Sequence, residues 1–195
     1  MDQVTTNLSS EQFVLEVSRQ THAMAGAVIA LTAAQAVALG RACIRLSREE
    51  LAENDIAIEA KIDNLSKNMQ ELLQWCNRDA TAISEYIALR EAGEQLIGQR
   101  LLCQAPASVG QITIETANVL QDFRPYVIER VRDDLEMAIS LLAGSARAAL
   151  LLLDSNLRIW PGKALQTQFE PVLEELADQI DCLTPLTRIR ETSDE

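Results

Sequence analysis

The chain has 195 residues and is 48% hydrophobic, so it is long and apolar enough to bury a core and is not intrinsically disordered. Its net charge of −12 argues against nucleic-acid binding, which needs a basic footprint, and against attraction to anionic lipids. Only 7 glycines and 5 prolines are present, and aromatic residues make up 4%, which favours a few long helices packed through Ala, Leu, Ile and Val.

The first predicted helix begins at a capping box formed by Ser9 and Gln12. A serine and a glutamine three residues later can satisfy each other's backbone N–H groups. We expect residues 1–8 to be frayed and the helix to end near Thr21. His22, the one histidine, follows it.

A stretch without charge, residues 23–40, predicts the central helix, which continues to about Leu46. It is rich in alanine, the best helix former, and it is apolar on nearly every face, which indicates a buried core helix. A membrane span is the alternative. Thr32 and Gln35 lie inside the stretch and no aromatic residue flanks it, so we favour burial and predict no membrane association.

The pattern restarts at Ser47, a cap-like residue, and residues 51–92 contain no Pro and no Gly. Apolar residues recur there at intervals of three and four, which predicts one long helix or two nearly collinear ones. Residues 93–110 are predicted to be the part of the chain with the most interrupted helical structure, because four of them are glycine or proline: Gly93, Gly98, Pro106 and Gly110.

The second half predicts three more helices. One covers about residues 111–122, and the next begins near Pro125, which suits a first helical turn, and runs to about Asn156. Its apolar run, residues 146–153, is the second buried segment. The last helix covers about residues 164–182 and is interrupted or restarted at Pro171.

These elements predict an all-α fold without strands. We expect one domain over residues 1–195, a bundle of about six helices with two buried Ala/Leu-rich central helices. The ordered core is expected at about residues 9–183, followed by a loose acidic C-terminal tail. Two helices apolar on several faces exceed what one protomer can cover, so a homodimer is expected.

The 4 cysteines form no CxxC pair, and with a single histidine they predict no metal site. We interpret them as free buried thiols of a reducing compartment. The first residues lack the basic and apolar regions of a secretory signal, so the expected location is cytoplasmic.

Two side chains near the central helix are candidates for chemistry. His22 precedes Gly26, where the helix begins and free N–H groups can face an anion; His22 is a potential general acid or base there, or a loop histidine without a task. Asp79 lies on the apolar-rich face of the long helix, near Trp75. It is either a carboxylate that binds a ligand or a surface acid.

Asp133 and Asp134 fall in an early helical turn, where the helix dipole favours acids. Asn156 follows a buried run and suits a helix C-cap. The helix dipole and capping therefore explain these three residues without a catalytic or binding role.

The ordered series of segments resembles the cyclodeaminase/cyclohydrolase family, which comprises the C-terminal domain of formiminotransferase-cyclodeaminase and free-standing bacterial relatives. The family's Phe-bearing helix, Pro-Gly-Gly-Gly-Ser loop and long Ala-rich helix correspond to residues 13–47. Its Asp-x-x-Ala corresponds to residues 79–82, its Pro-started helix begins at Pro106, and its Ser-Asp before an Ala-rich helix corresponds to residues 133–138. Its closing Asn-Leu matches residues 156–157, and the whole resemblance spans about residues 10–180.

This resemblance implies a methenyltetrahydrofolate cyclohydrolase or a formiminotetrahydrofolate cyclodeaminase. The substrate would be a tetrahydrofolate derivative, with no permanently bound cofactor. The resemblance implies Asp79 and Asp134 as catalytic carboxylates and His22 as proton shuttle, at a dimer interface near the start of the central helix. The implied substrate-binding residues are Gly26, Ala25, Ala27 and Asn156.

The family's glycine loop is altered, because Pro-Gly-Gly-Gly-Ser is replaced by Met24-Ala25-Gly26-Ala27-Val28. Alanine resists positive φ and close backbone approach, both of which glycine permits. The alternative function is therefore a catalytically degenerate family member, a helical dimer that binds a small molecule or a protein.

Overall fold

The computed structural model describes residues 5–19, 24–53 and 58–190. These residues form seven α-helices and three short 3-10 helices, with no strand among them. The all-α prediction is confirmed, and the number of helices exceeds the six or so that were expected. The α-helices are α1 Ser10–Arg19, α2 Ala25–Leu46, α3 Arg48–Glu53, α4 Glu59–Glu91, α5 Gln95–Asp122, α6 Arg132–Ile159 and α7 Lys163–Asp181. The 3-10 helices are Thr5–Asn7, Arg124–Tyr126 and Glu129–Val131.

Four long helices form the bundle. α2 packs against α4 and α6, α5 packs against the same two helices, and α7 covers α5 and α6. α4 and α5 are joined at Gly93, which has a φ of 82°. There the Gly93 amide donates to the Arg90 carbonyl and the Glu94 amide to the Leu89 carbonyl, the two bonds of a Schellman motif. The chain therefore reverses sharply, and α5 returns antiparallel to α4.

The predicted capping box is confirmed at the start of α1. The Ser9 amide donates to Oε1 of Gln12 at 2.9 Å, and the Gln12 amide donates to Oγ of Ser9 at 3.2 Å. Of the segment predicted to be frayed, residues 1–4 lie outside the described residues. Thr6 is held to α4, because its amide donates to Oδ1 of Asn77 at 2.9 Å and Nδ2 of Asn77 donates to Oγ1 of Thr6 at 3.1 Å. Residues 191–195, the end of the predicted loose tail, lie outside the described residues.

Ser47, predicted to cap the next helix, instead uses its side chain to join two segments of the chain. Its buried hydroxyl donates to the Cys43 carbonyl at 2.9 Å and accepts the Ile128 amide at 3.1 Å. Ser47 therefore fastens the end of α2 to the segment before α6.

The prediction of a broken chain over residues 93–110 is wrong beyond Gly93, because α5 runs through Gly98, Pro106 and Gly110. The two glycines are sites of close helix packing. A Cβ at Gly98 would lie 2.9 Å from Cδ2 of Tyr86, and a Cβ at Gly110 would lie 3.3 Å from Cδ1 of Leu176. Both positions are buried, so these glycines serve close helix packing and not a turn.

Pro106 is accommodated inside α5 by a side chain of α6. Proline has no N–H, so the carbonyl of Leu102, four residues earlier, loses its helical partner. Nδ2 of Asn156 donates to that carbonyl at 2.8 Å. Asn156 lies inside α6, which ends at Ile159 with Trp160 as its C-cap, so the C-cap interpretation of Asn156 is wrong.

The other two proline predictions are also corrected. Pro125 lies in the 3-10 helix Arg124–Tyr126, and α6 begins at Arg132. Pro171 lies inside α7, which continues to Asp181 without a break.

The two central helices are buried on one side. α2 and the segment Glu129–Ile159 are each long and apolar enough to cross a membrane by length and composition, and half of the apolar window of each is buried inside the fold. The prediction of two buried central helices therefore holds for half of their surface, and the rest of that surface faces outward.

We predict that Asn156→Leu lowers the free energy of unfolding by about 1–3 kcal/mol, because the Leu102 carbonyl is left without a donor. Adding Pro106→Ala should recover part of this loss, since the new amide at position 106 can bond to that carbonyl. Urea unfolding of both single variants and the double variant measures the coupling. Asn64→Leu on the exposed face of α4 is the control. If Asn156→Leu lowers the free energy of unfolding equally in the wild-type and Pro106→Ala backgrounds, the hydrogen bond from Asn156 does not compensate for the proline.

Candidate functional site

The candidate site lies at the start of α2, where a carboxylate from α4 meets the first helical turn. Ala25, Gly26 and Ala27 form this turn, which replaces the loop expected from the family's glycine motif. The Ala27 amide donates to Oδ2 of Asp79 at 2.7 Å. The first amides of a helix have no partner within the helix, and its N-terminus carries partial positive charge, so the carboxylate stabilises this end of α2.

Gly26 permits this approach. A Cβ at position 26 would lie 2.2 Å from Oδ1 and 2.6 Å from Cγ of Asp79, so no other residue fits without displacing the carboxylate. The two predicted site residues Gly26 and Asp79 are therefore in direct contact. The reason Gly26 must be glycine is steric and does not involve a positive φ.

A small cavity adjoins the carboxylate where α2, α4, α5 and α6 meet. Its walls include Gly26, Trp75, Asp79, Pro106 and Leu152, and its volume is about 10 Å³. That volume holds about one water molecule. The cavity is thus far too small for a ring system in this conformation.

Cys76 lies one turn before Asp79 and is fully buried. Burial, and after it the negative charge of Asp79, raises the pKa of the Cys76 thiol to about 11. The thiolate is the nucleophilic form, so this thiol is protonated and unreactive near neutral pH.

Asp134 lies at the other end of α2. It is exposed in the first turn of α6, and its charge contributes, after burial, to raising the pKa of Cys43 to about 11. Cys43 follows Ala27 by sixteen residues of α2, which is about 24 Å along a helix. Within one chain, the structure does not bring the two predicted catalytic carboxylates together.

Of the remaining predicted site residues, only Asn156 can be placed near the cavity. His22 lies outside the described residues. Asn156 is one turn beyond Leu152 of the cavity wall, and its amide group is bonded to Leu102. Among the described residues, no group of three or more His, Cys, Asp or Glu side chains is arranged to hold a metal ion.

Trp75 is a site residue that the sequence analysis did not single out. It lines the cavity beside Asp79, four residues earlier on α4. A spacing of four residues places Trp75 and Asp79 on one face of the helix, and this spacing could have identified Trp75 from the sequence.

We predict that Gly26→Ala lowers the free energy of unfolding by about 1 kcal/mol, because the loss of a charge-assisted hydrogen bond exceeds the gain in helix propensity. In an Asp79→Ala background the clash is absent, so the same substitution should stabilise by up to about 1 kcal/mol. Asp63→Ala, at an exposed position of α4, is the control background, and there Gly26→Ala should remain destabilising. Urea unfolding measures the effect of Gly26→Ala on the free energy of unfolding in the wild-type, Asp79→Ala and Asp63→Ala backgrounds. The same sign of that effect in all three would disprove the steric explanation.

Comparison with known proteins identifies the family. A family model described as formiminotransferase-cyclodeaminase matches residues 9–175. No curated protein sequence matches the chain. The crystal structure of a formiminotetrahydrofolate cyclodeaminase from Thermotoga maritima is similar with a TM-score of 0.77; it is 20% identical, and the match covers 90% of this chain and 91% of that chain.

At this identity the likeness to the crystal structure shows a shared fold. The family model spans most of the chain, from the capping box of α1 into α7, and it confirms the resemblance found in the sequence. The protein belongs to the formiminotransferase-cyclodeaminase family.

Proposed function

We propose that the protein performs one-carbon chemistry on a tetrahydrofolate derivative, as a cyclodeaminase or a methenyltetrahydrofolate cyclohydrolase. One observation carries this proposal: Asp79 and Gly26, which the family resemblance implies as a catalytic and a substrate-binding residue, are in contact at the start of α2. The family membership and the fold shared with a formiminotetrahydrofolate cyclodeaminase support the substrate class.

Both reactions pass through a cationic carbon between two folate nitrogens. In the cyclodeaminase reaction N10 attacks the carbon of the protonated formimino group, the N10 proton passes to the former imino nitrogen, and that nitrogen leaves as ammonia. In the cyclohydrolase reaction water adds to the methenyl carbon, the bond to N5 breaks and a proton is released. A fixed carboxylate stabilises the cation and accepts a proton from the attacking water. Asp79 suits this role, because the Ala27 amide orients one of its oxygens.

The other residues have more distant roles in this proposal. His22 remains the predicted proton shuttle next to α2. Asp134 lies beside the far end of α2, near Cys43, which is about 24 Å along the helix from Ala27. It therefore does not act on the same carbon as Asp79 of its own chain. Asn156 supports the cavity wall through α5, so we assign it a positioning role.

A second candidate function is a catalytically degenerate binding protein. The cavity volume of about 10 Å³ favours it, since no folate ring enters without a movement of the walls. The Ala27 amide is also already bonded to Asp79, so it is not available to an anionic ligand.

We expect 5-formyltetrahydrofolate, a stable analogue, to give saturable heat in a calorimetric titration. Asp79→Asn should weaken binding, because the carboxylate in the cavity wall is lost, and should lower cyclohydrolase turnover at least tenfold, because the charge that faces the cationic carbon of the substrate is lost. Asp63→Asn on the exposed face of α4 is the matched control and should bind as wild type. A cyclohydrolase assay on the same three proteins then tests turnover. Binding without turnover would favour the degenerate function, and no binding would contradict the folate proposal.

We also propose that the protein is a homodimer joined through the outward faces of α2 and α6. On each helix, outward positions recur at intervals of four and three residues, as in a packing seam between helices. On α2 these are Val28, Thr32, Gln35, Leu39, Ala42 and Leu46, and on α6 they are Met137, Leu141, Gly144, Ala148, Leu151 and Ser155. Leu151 is 68% exposed and Leu46 52% exposed, so apolar side chains are uncovered on both helices.

Gly144 gives independent support for a second copy. It lies inside α6, where glycine destabilises a helix by about 0.5–1 kcal/mol relative to alanine. A Cβ there would meet no atom of the described residues within 4 Å, so packing inside the protomer does not require glycine. A closely approaching helix of a second protomer would require it.

Sedimentation at micromolar concentration should show a dimer for the wild type. Gly144→Leu should give a folded monomer, because the added side chain separates the two faces, while Ala88→Leu on the exposed face of α4 should leave the dimer intact. A monomeric wild type, or a dimer that tolerates Gly144→Leu, would contradict this interface.

A further inference from the structure

The outward faces of α2 and α6 carry opposite charges at the same end of the bundle. The charged residues of α2 are Arg41 and Arg45, both basic and both in its last two turns. The first turn of α6 carries Asp133 and Asp134. Among the residues that the structure describes, neither Arg45 nor Asp134 forms an ion pair within the chain. Both side chains are exposed, so a second molecule can reach them.

The heights of residues along α2 and α6 correspond, because the two helices run antiparallel within the chain. The charge of Asp134 acts on Cys43, near the end of α2. At the other end, Gly26 lines the same cavity as Leu152. Arg45 therefore lies within about one turn of the height of Asp134.

Two arrangements join this face to the same face of a second copy. A twofold axis parallel to the helices places α2 against α6 of the partner and leaves all heights unchanged, so Arg45 meets the partner's Asp134. An axis across the middle of the helices places α2 on the partner's α2 in the opposite direction. Arg45 then meets the start of that helix, residues 25–30, which carries no charge. Only the first arrangement gives Arg45 an opposite charge.

The shapes of the two faces agree with the first arrangement. Gly144 lies about three turns beyond Asp134 on α6, at the height of Thr32 on α2. The missing Cβ of Gly144, next to the partner's Thr32, lets the two helices approach closely. Leu151, which is 68% exposed, lies two turns further and meets the partner's Val28, which is also exposed. The apolar contact therefore falls at one end and the charge pair at the other.

We propose that α2 packs antiparallel against α6 of the partner, with Arg45 paired to the partner's Asp134 and Val28 covered by the partner's Leu151. This inference rests on the homodimer proposed above and assigns its arrangement. Val28 directly follows Ala27, whose amide donates to Asp79, so the second chain covers the turn that holds this carboxylate. Asp134, far from Asp79 in its own chain, thus recognises the second chain.

Charge reversal on two separate chains tests the pair. Arg45→Glu alone places two acids opposite each other at both ends of the twofold interface, and Asp134→Arg alone places two bases there. Sedimentation at low salt should show that each variant dimerises at least tenfold more weakly than wild type. An equimolar mixture should dimerise like wild type, because each mixed dimer contains two pairs of opposite charge.

The matched controls make the same charge changes outside this face. Lys67→Glu and Asp63→Arg, at exposed positions of α4, should dimerise as wild type both alone and mixed. Recovery in the mixture of the Arg45 and Asp134 variants also excludes misfolding as the cause of their weak dimerisation.

Cysteine cross-linking tests the apolar contact. Cys182, the exposed cysteine, is first replaced by Cys182→Ser. In that background, oxidation of a mixture of Val28→Cys and Leu151→Cys should give a disulfide-linked dimer, because the two positions face each other across the interface. Neither variant alone should form it, since each position then faces a residue without a thiol.

The outcomes separate this arrangement from the homodimer itself. A monomeric wild type overturns both. A dimeric wild type whose reversal variants dimerise normally, or whose mixture stays as weak as the single variants, overturns the arrangement and leaves the homodimer standing. Packing of α2 on the partner's α2 predicts that second result. Recovery in the mixture together with the Val28–Leu151 cross-link supports the arrangement.

Discussion

The contact between the Asp79 carboxylate and the first turn of α2 is the interaction on which the candidate site depends. It joins α4 to the apolar helix α2, and it places a negative charge where the helix N-terminus is partially positive. Gly26 allows this because it has no Cβ. The same contact fixes the catalytic carboxylate of the proposed reaction and gives α2 a partner for its free amide, so structural and chemical roles coincide in one side chain.

The residues around this contact follow one packing rule. Small residues and a proline let four helices approach closely, and the polar groups that this leaves without partners are satisfied by side chains from neighbouring helices. Asn156 bonds the carbonyl that Pro106 releases. Close packing also leaves the cavity with a volume of only about 10 Å³.

The apolar surface of α2 and α6 links the fold to assembly. About half of the apolar window of each helix is buried by the rest of the chain, and the uncovered half mixes apolar residues such as Leu46 and Leu151 with small and polar ones. Val28, at the start of this surface, follows Ala27 directly, so the proposed dimer contact adjoins the candidate site. Whatever covers the surface would therefore affect the part of α2 that holds Asp79.

The sequence by itself determined the helical class, the capping box of α1, the central helix α2 and the family, because local propensity, apolar spacing and motif order are properties of neighbouring residues. It also indicated Gly26 and Asp79 separately. Only the tertiary structure decided that these two touch, that Asp134 lies far from them, and that Gly98, Pro106 and Gly110 continue α5. The physical reason is that a glycine or proline breaks a helix only if no neighbour compensates, and here Tyr86, Asn156 and Leu176 lie on other helices.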